Sequence, residues 1–364
     1  MAAVQGMCAR IGIVTQKGLT GTLREHYPRP FLYFMMLVSF PAITLNIGAD
    51  IESMGSVANL LIPAIPVYAF SIVITVLLLL AIILFPYQRI ASILKWLCIF
   101  LLLYLVVPFL VHVDWLDIGR HTVIPQIKYD KEFFSILVAI LGTTISPYLF
   151  FWQATMEAED MSRRTRSVIV DKRLLSDMSV DVNSGMFFSN LVMFFIIVTT
   201  GAVLYRAGIH KIDTVEQAAK ALEPLAGKFA YLIFALGVIG TGFLAIPVLA
   251  GSISYMLAET FDWQQGLDKK FNEAPAFYIT IIVSLLVGLS MELLGVSPIN
   301  ALLYTAIVYG LTAPLMILVI LHISNNKEIM GEHTNGVLSN VLGVLALLLM
   351  TAAAIALVYF MVAT

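Results

Sequence analysis

Leu141-Gly142-Thr143-Thr144-Ile145-Ser146-Pro147-Tyr148-Leu149-Phe150 stands in the middle of an otherwise apolar stretch, and its reading decides the fold. Proline has no N–H, and its ring crowds the carbonyl four residues back. Here that carbonyl belongs to Thr143. Gly142 loosens the same turn, and Thr143 and Ser146 set hydroxyls beside it. The expectation is a helix that unwinds between Gly142 and Pro147, with a bare carbonyl and two hydroxyls at the gap. Inside a bilayer such backbone is tolerated only where it is buried in protein or lines a cavity. Discontinuous helices of this kind build ion and substrate sites in secondary transporters. An ordinary proline kink healed by neighbouring helices fits the same ten residues, so this stretch alone leaves the choice open.

The residues on either side place it in a membrane. Of 364 residues, 60% are hydrophobic and 12% charged, against roughly a quarter charged in a soluble domain; mean hydropathy is +0.94. Too little polar surface is present to coat a water-facing globule. A helix crosses the hydrocarbon core with about 20 residues, and continuous apolar runs of that size recur at 31–62, 65–86, 90–112, 133–157, 178–205, 226–258, 276–295, 298–323 and 337–363, with 1–16 reading as the last turns of a further helix. Strands of a barrel would alternate with period two, which these runs do not. The expectation is an all-α polytopic membrane protein of about ten helices, a single domain over 1–364.

Charge in the loops gives an orientation. Lys17, Arg24, Arg29, Arg89, Lys95, Arg163, Arg164, Arg166, Lys172, Arg173, Lys269, Lys270 and Lys327 fall on one side. They outnumber Arg120, Lys128, Lys131, Arg206, Lys211, Lys220 and Lys228 on the other. The richer side is expected in the cytoplasm, which leaves the C-terminus outside, across a plasma (inner) membrane. Net charge is −2, and no basic tract of the kind that tracks nucleic acid is present. Cys8 and Cys98 lie in different apolar runs and suggest neither a disulfide nor a metal motif. HExxH, GxSxG and a Walker lysine are all missing from the sequence, so an enzyme has no support and no cofactor is expected. Gly237, Gly240 and Gly242 sit in an apolar run, where small residues let helices approach closely.

A second polar island lies in 31–62, at Asn46-Ile47-Gly48-Ala49-Asp50-Ile51-Glu52-Ser53. Asn46 and Asp50 are four apart and share a helix face. An ionisable residue at this depth is costly and by default a functional candidate. Asp50 can relay a proton or attract a cation, or be satisfied by neighbouring helices. Glu157, Glu159 and Asp160, and the polar opening of 178–205 (Asp177, Asp181, Asn183, Ser184), read first as solvated helix ends.

Three stretches together resemble the NRAMP family of proton-coupled divalent metal transporters: Met7-Cys-Ala-Arg-Ile-Gly-Ile-Val-Thr15 with Lys17-Gly18, Asn46-Ile-Gly-Ala-Asp50, and Gly142-Thr-Thr-Ile-Ser-Pro-Tyr148. The order and number of the later runs fit as well. The resemblance implies a LeuT-like inverted repeat in which helices one and six are interrupted at the metal. It also implies that this chain begins partway through the equivalent of helix two, since no Asp-Pro-Gly occurs in it. In helix six the carbonyl position falls on Thr143, the methionine position on Ser146 and the histidine position on Tyr148. A thioether favours soft transition metals, whereas hydroxyl and carbonyl oxygens suit Mg²⁺ and Mn²⁺. The resemblance thus implies the related branch that has lost the methionine. Thr143 and Ser146 would then hold the metal, Asn46, Asp50 and Tyr148 would line the cavity or proton pathway, and Gly142 and Pro147 would form the break. Expected partners are a divalent cation as substrate, protons, and lipid. Other readings are a membrane remnant or sensor of the same fold that no longer transports, or a broken-helix transporter for an organic substrate.

Overall fold

A computed structural model describes residues 1–86, 89, 92, 96–111, 113–124, 126–163, 170–209, 211–295 and 297–363. Among the described residues there is no strand. The main helices are α1 (Ala2–Thr15), α2 (Leu19–His26), α3 (Arg29–Leu61), α4 (Val67–Leu84), α5 (Lys131–Thr144), α6 (Pro147–Arg163), α7 (Lys172–Thr200), α8 (Ala230–Phe261), α9 (Pro275–Ser290), α10 (Pro298–Asn325) and α11 (Val337–Ala363). Seven stretches among the described residues are long and apolar enough to cross a bilayer, counting α5 and α6 as one; α1 and α9 are shorter apolar helices.

Local chemistry fixes several of the boundaries. Asp130 starts α5 by accepting the Phe133 N–H at 2.7 Å, and Asp171 starts α7 by accepting that of Leu174 at 2.8 Å. Both satisfy donors that a helix start leaves free. Ser297 caps α10, with Pro298 in the first turn, where its missing N–H costs nothing. The run 276–295 is split: α9 gives way to a 3₁₀ turn over Met291–Leu294, and Gly295 closes it at φ 67°.

The expected span 90–112 is the one that differs most. Its described part is a 3₁₀ helix, Leu97–Leu105, followed by a single α turn, Val107–Leu110, that contains Pro108. A run of 3₁₀ this long is unusual, and proline, which has no N–H, cannot extend the ladder. Residues 90, 91, 93–95 and 112 of that span, Lys95 included, and the loop residues Arg164 and Arg166 lie outside the described residues.

The core gathers around α3, which packs against α4, α8, α9 and α10. Ile43, Ile47 and Ile51 on α3 are fully enclosed, as are Phe150 on α6, Tyr255 on α8 and Phe277 on α9. Leu37, Leu80, Phe187 and Leu348 point outward, as expected of helices whose outer faces meet lipid. Small residues set the closest approaches. A Cβ on Gly142 would fall 2.0 Å from the Ala306 carbonyl oxygen, so α5 lies directly on α10; one on Gly48 would fall 2.6 Å from that of Gly288, joining α3 to α9. Only glycine fits at such contacts, and they are the usual means of close helix association in membranes.

Candidate functional site

The helix over 131–163 is interrupted where the sequence places the break. α5 ends at Thr144, Ile145 and Ser146 are non-helical, and α6 begins at Pro147. Proline alone does not explain it, because Pro41, Pro247 and Pro314 lie inside α3, α8 and α10 without interrupting them. What distinguishes Pro147 is the side chain before it. The Ser146 hydroxyl lies 2.8 Å from the Thr143 carbonyl oxygen and 3.1 Å from that of Gly142. It offers its single proton to the carbonyl that Pro147 cannot satisfy, which is the compensation an interior helix break requires. The carbonyl expected to stand bare is therefore capped by the neighbouring serine. The Thr143 hydroxyl turns back along its own helix, 3.0 Å from the carbonyl oxygens of both Ala139 and Ile140. Ser146 is 3% exposed, whereas Thr143 is on the exposed side of the turn.

Asn46 and Asp50 share a face of α3, and the Asn46 amide donates to Asp50 Oδ2 at 3.1 Å. Both are half-buried. Asp50 lies within electrostatic range of the hydroxyls of Tyr148 and Tyr309. Those two rings pack against each other with centroids 5.7 Å apart. The fold thus brings together Ser146 and Tyr148 from the start of α6 and its approach, Asp50 from α3, and Tyr309 from α10. The Tyr309 hydroxyl is buried without a hydrogen-bond partner. Tyrosine in an apolar run reads as core, so nothing in the sequence singled it out. Among the described residues, no three His, Cys, Asp or Glu side chains converge. The donors near the break are oxygens of hydroxyls, carbonyls and the Asp50 carboxylate, with one sulfur beside them, the Met193 thioether of α7, 3.4 Å from the Thr144 hydroxyl.

Two further polar residues escaped the sequence reading. Gln5 on α1 is enclosed and donates to the Leu149 carbonyl at 3.3 Å and to Gln153 Oε1 at 3.1 Å, tying α1 to the first turns of α6. A lone glutamine in an apolar run was the available signal. Glu259 lies one residue beyond the expected end of the 226–258 run; the helix in fact continues to Phe261 and buries it.

Below the break, α6 carries Tyr148, Trp152, Thr155 and Glu159 down the face it turns toward α8. The Tyr148 carbonyl lies 3.4 Å from the Ser252 hydroxyl, and Trp152 packs edge-on to Tyr255. Thr155 donates to Glu259 at 3.2 Å, and Tyr255 donates to Glu159 at 2.6 Å. This face ends in a cavity of about 740 Å³, lined by charged residues that include Lys17, Arg24, Glu159, Arg163, Glu259 and Lys269. Three of the loops expected on the lysine- and arginine-rich side, those of Lys17 and Arg24, of Arg163 and of Lys269, thereby meet at one end of the bundle. At its rim the Arg24 guanidinium, 3.0 Å from Asp262, holds that carboxyl below its usual range. Glu157 accepts from Gln153 at 2.9 Å, and Asp177, Asp181, Asn183 and Ser184 are exposed along α7.

Comparison with known proteins identifies the family and the fold. The family model described as natural resistance-associated macrophage protein-like (Nramp) matches residues 1–360. A divalent metal cation transporter MntH of Caldanaerobacter subterraneus subsp. tengcongensis is 27% identical over 239 residues, which is 65% of this chain and 53% of that protein, so the match spans about half the relative's length. The MntH of Verminephrobacter eiseniae is 26% identical over 353 residues, covering 94% of this chain and 75% of that one. Among solved structures, a manganese transporter of Eremococcus coleocola, in complex with an aromatic bis-isothiourea substituted compound, superposes with a TM-score of 0.70 at 17% identity, covering 99% of this chain and 77% of that one. The likeness in shape shows the fold, and with the family model matching nearly every residue, the chain belongs to the Nramp family.

Proposed function

We propose that the chain is a secondary transporter of divalent metal cations, with Mg²⁺ and Mn²⁺ favoured over softer ions, and that the cation is held at the unwound point between Thr143 and Pro147. The observation that carries this reading is the chemistry of the break. Sulfur and imidazole are missing from Thr143–Tyr148 itself, and the sulfur near it, that of Met193, is engaged by the Thr144 hydroxyl; the break carries the Ser146 hydroxyl on the Thr143 carbonyl, with the Asp50 carboxylate within electrostatic range of Tyr148. Hard oxygen donors match Mg²⁺ and Mn²⁺. Mg²⁺ also tends to keep several of its waters, and the small Ser146 leaves room for them. The relatives described as divalent metal cation transporters and as a manganese transporter support the class of substrate.

Ser146 and Thr143 are assigned to the cation. Asp50, oriented by Asn46, supplies negative charge and is the group able to exchange a proton with the passing ion; Tyr148 and Tyr309 close the space above it. The charged cavity is the cytoplasmic mouth, in a plasma membrane, with the C-terminus outside. The test is flux through proteoliposomes loaded in turn with Mg²⁺, Mn²⁺ and Cd²⁺. The unsubstituted protein is expected to pass the first two. Ser146→Met restores a thioether and is expected to raise the Cd²⁺:Mg²⁺ flux ratio by about tenfold, equivalent to ~1.4 kcal/mol. An unchanged ratio would remove Ser146 from the site.

A further inference from the structure

Glu259 is a buried carboxylate for which the transport reading has no use. It sits in the last turn of α8, 9% exposed. Its Oε2 accepts the backbone N–H of Gly21, on α2, at 2.8 Å, and its Oε1 accepts the hydroxyl of Thr155, on α6, at 3.2 Å. Gly18 presses on the same carboxylate: a Cβ there would fall 2.0 Å from Oε1 and 2.3 Å from the Thr155 oxygen. The Glu259 carbonyl meanwhile accepts from Arg24 at 2.9 Å. A single residue therefore gathers the Gly18–Arg24 segment, α6 and the end of α8 at the floor of the charged cavity.

The position of Thr155 gives this junction its meaning. α6 is joined to α5 only through the non-helical Ile145 and Ser146. α5 is fixed to α10 by the Gly142–Ala306 contact. The direction of α6 is consequently set by what grips it below the break: α1, where a Cβ on Gly12 would fall 2.1 Å from the Ala154 carbonyl oxygen, and, at the next residue, Glu259. Thr155 lies eight residues, about 12 Å, beyond Pro147 on that helix. Burying a carboxylate is costly unless it is paired or hydrogen-bonded, so the Gly21 N–H and the Thr155 hydroxyl both matter to its remaining there.

We propose that Glu259 is a positioning residue, a latch that holds α6 against the Gly18–Arg24 segment, keeps the cavity sealed from the break, and lets go of Thr155 when the two connect. Its purpose rests on the transport reading, but its contacts do not. The test places a reporter at the break, Ser146→Cys, in a chain whose Cys8 and Cys98 are alanine. Labelling by a membrane-impermeant thiol reagent is measured from the cavity side of reconstituted vesicles, alongside hydrogen exchange of residues 18–24.

Glu259→Ala is expected to raise both labelling and exchange by roughly tenfold, the loss of one charge-assisted hydrogen bond. Glu259→Gln, which still accepts from Gly21 and can donate to Thr155, is expected to stay within about twofold on the same scale. Thr155→Val is expected to raise labelling as Glu259→Ala does, and the double variant to exceed neither, because partners in one contact are not additive. The proposal is overturned if Thr155→Val leaves labelling unchanged, or if Glu259→Ala raises exchange alone, since Glu259 then ties the loop without governing α6. Should Glu259→Ala fail to fold, Thr155→Val decides by itself. Absence of Mn²⁺ flux in the unsubstituted chain would refute the transport reading and leave the labelling result standing.

Discussion

Ser146 shows how one side chain changes what a proline does. Three other in-helix prolines leave their helices intact, while Pro147 separates two. A serine hydroxyl can take over a carbonyl that has lost its N–H partner, competing locally with the helix ladder. Asp50 is the residue through which coupling to protons would run, since it is the carboxylate within range of both tyrosine hydroxyls at the break. Asp50→Asn keeps the size and the contact with Asn46 and removes the titrating group. Uptake by this variant is expected to lose the dependence on external pH that the parent shows in the same vesicles. Unaltered pH dependence would strike Asp50 from the proton pathway. Proline, glycine, the hydroxyls and Asp50 were all legible in the sequence, because polar or helix-breaking residues stand out in an apolar run. Tyr309 and Thr155 were not. Their roles come from which helices lie opposite, and a tyrosine or threonine in such a run has no local signature of its neighbours.

At the level of elements, both halves of the broken helix lie directly on a neighbour's backbone. α5 meets α10 at Gly142, and α6 meets α1 at Gly12, where a Cβ would fall 2.1 Å from the Ala154 carbonyl oxygen; side-chain hydrogen bonds hold α6 in addition. Gly142→Ala forces a methyl into the Ala306 carbonyl. Overpacking of this kind costs about 1–3 kcal/mol, expected as a lower midpoint of thermal unfolding in detergent. An unchanged midpoint would mean that the seam between α5 and α10 can widen freely. Pro147→Ala restores an N–H that can reach Thr143 and releases the Ser146 hydroxyl. The expected outcome is a folded protein whose cation flux falls at least about tenfold; full activity would show that the unwound turn does not depend on proline. Element boundaries were readable where a cap or proline marks them, as at Asp130, Asp171 and Pro298. They failed at 90–112, where continuous hydrophobicity says nothing of the hydrogen-bond register, and at Glu259, where one charged residue looked like the end of a helix that runs two residues further.

For the whole molecule, membrane residence and helical class follow from composition alone, because no soluble fold can hide so much apolar surface. The path of the chain between the helices is another matter; it is decided by small-residue contacts such as Gly48 with Gly288, which sequence shows only as scattered glycines. Lys17, Arg24, Arg163 and Lys269 converge on one cavity, and the proposed orientation puts that end in the cytoplasm. A protease-cleavable tag after Thr364 is accordingly expected to be removed by protease added to intact cells. Protection of the tag until the cells are lysed would invert the topology and turn the cavity outward.

The interrupted helix also has a mechanical consequence. α6 has 17 residues and so extends about 25 Å from Pro147. Pivoting it by about 10° at the unwound turn would carry its far end some 4 Å sideways, by the same helix length. The atoms next to the pivot would move by a small fraction of that. Such a lever widens or narrows the mouth by more than the diameter of a water molecule while the oxygens at its fulcrum stay nearly in place. For a cation held at the break, as proposed, access and affinity can therefore vary separately, with Ser146 at the still point of the motion.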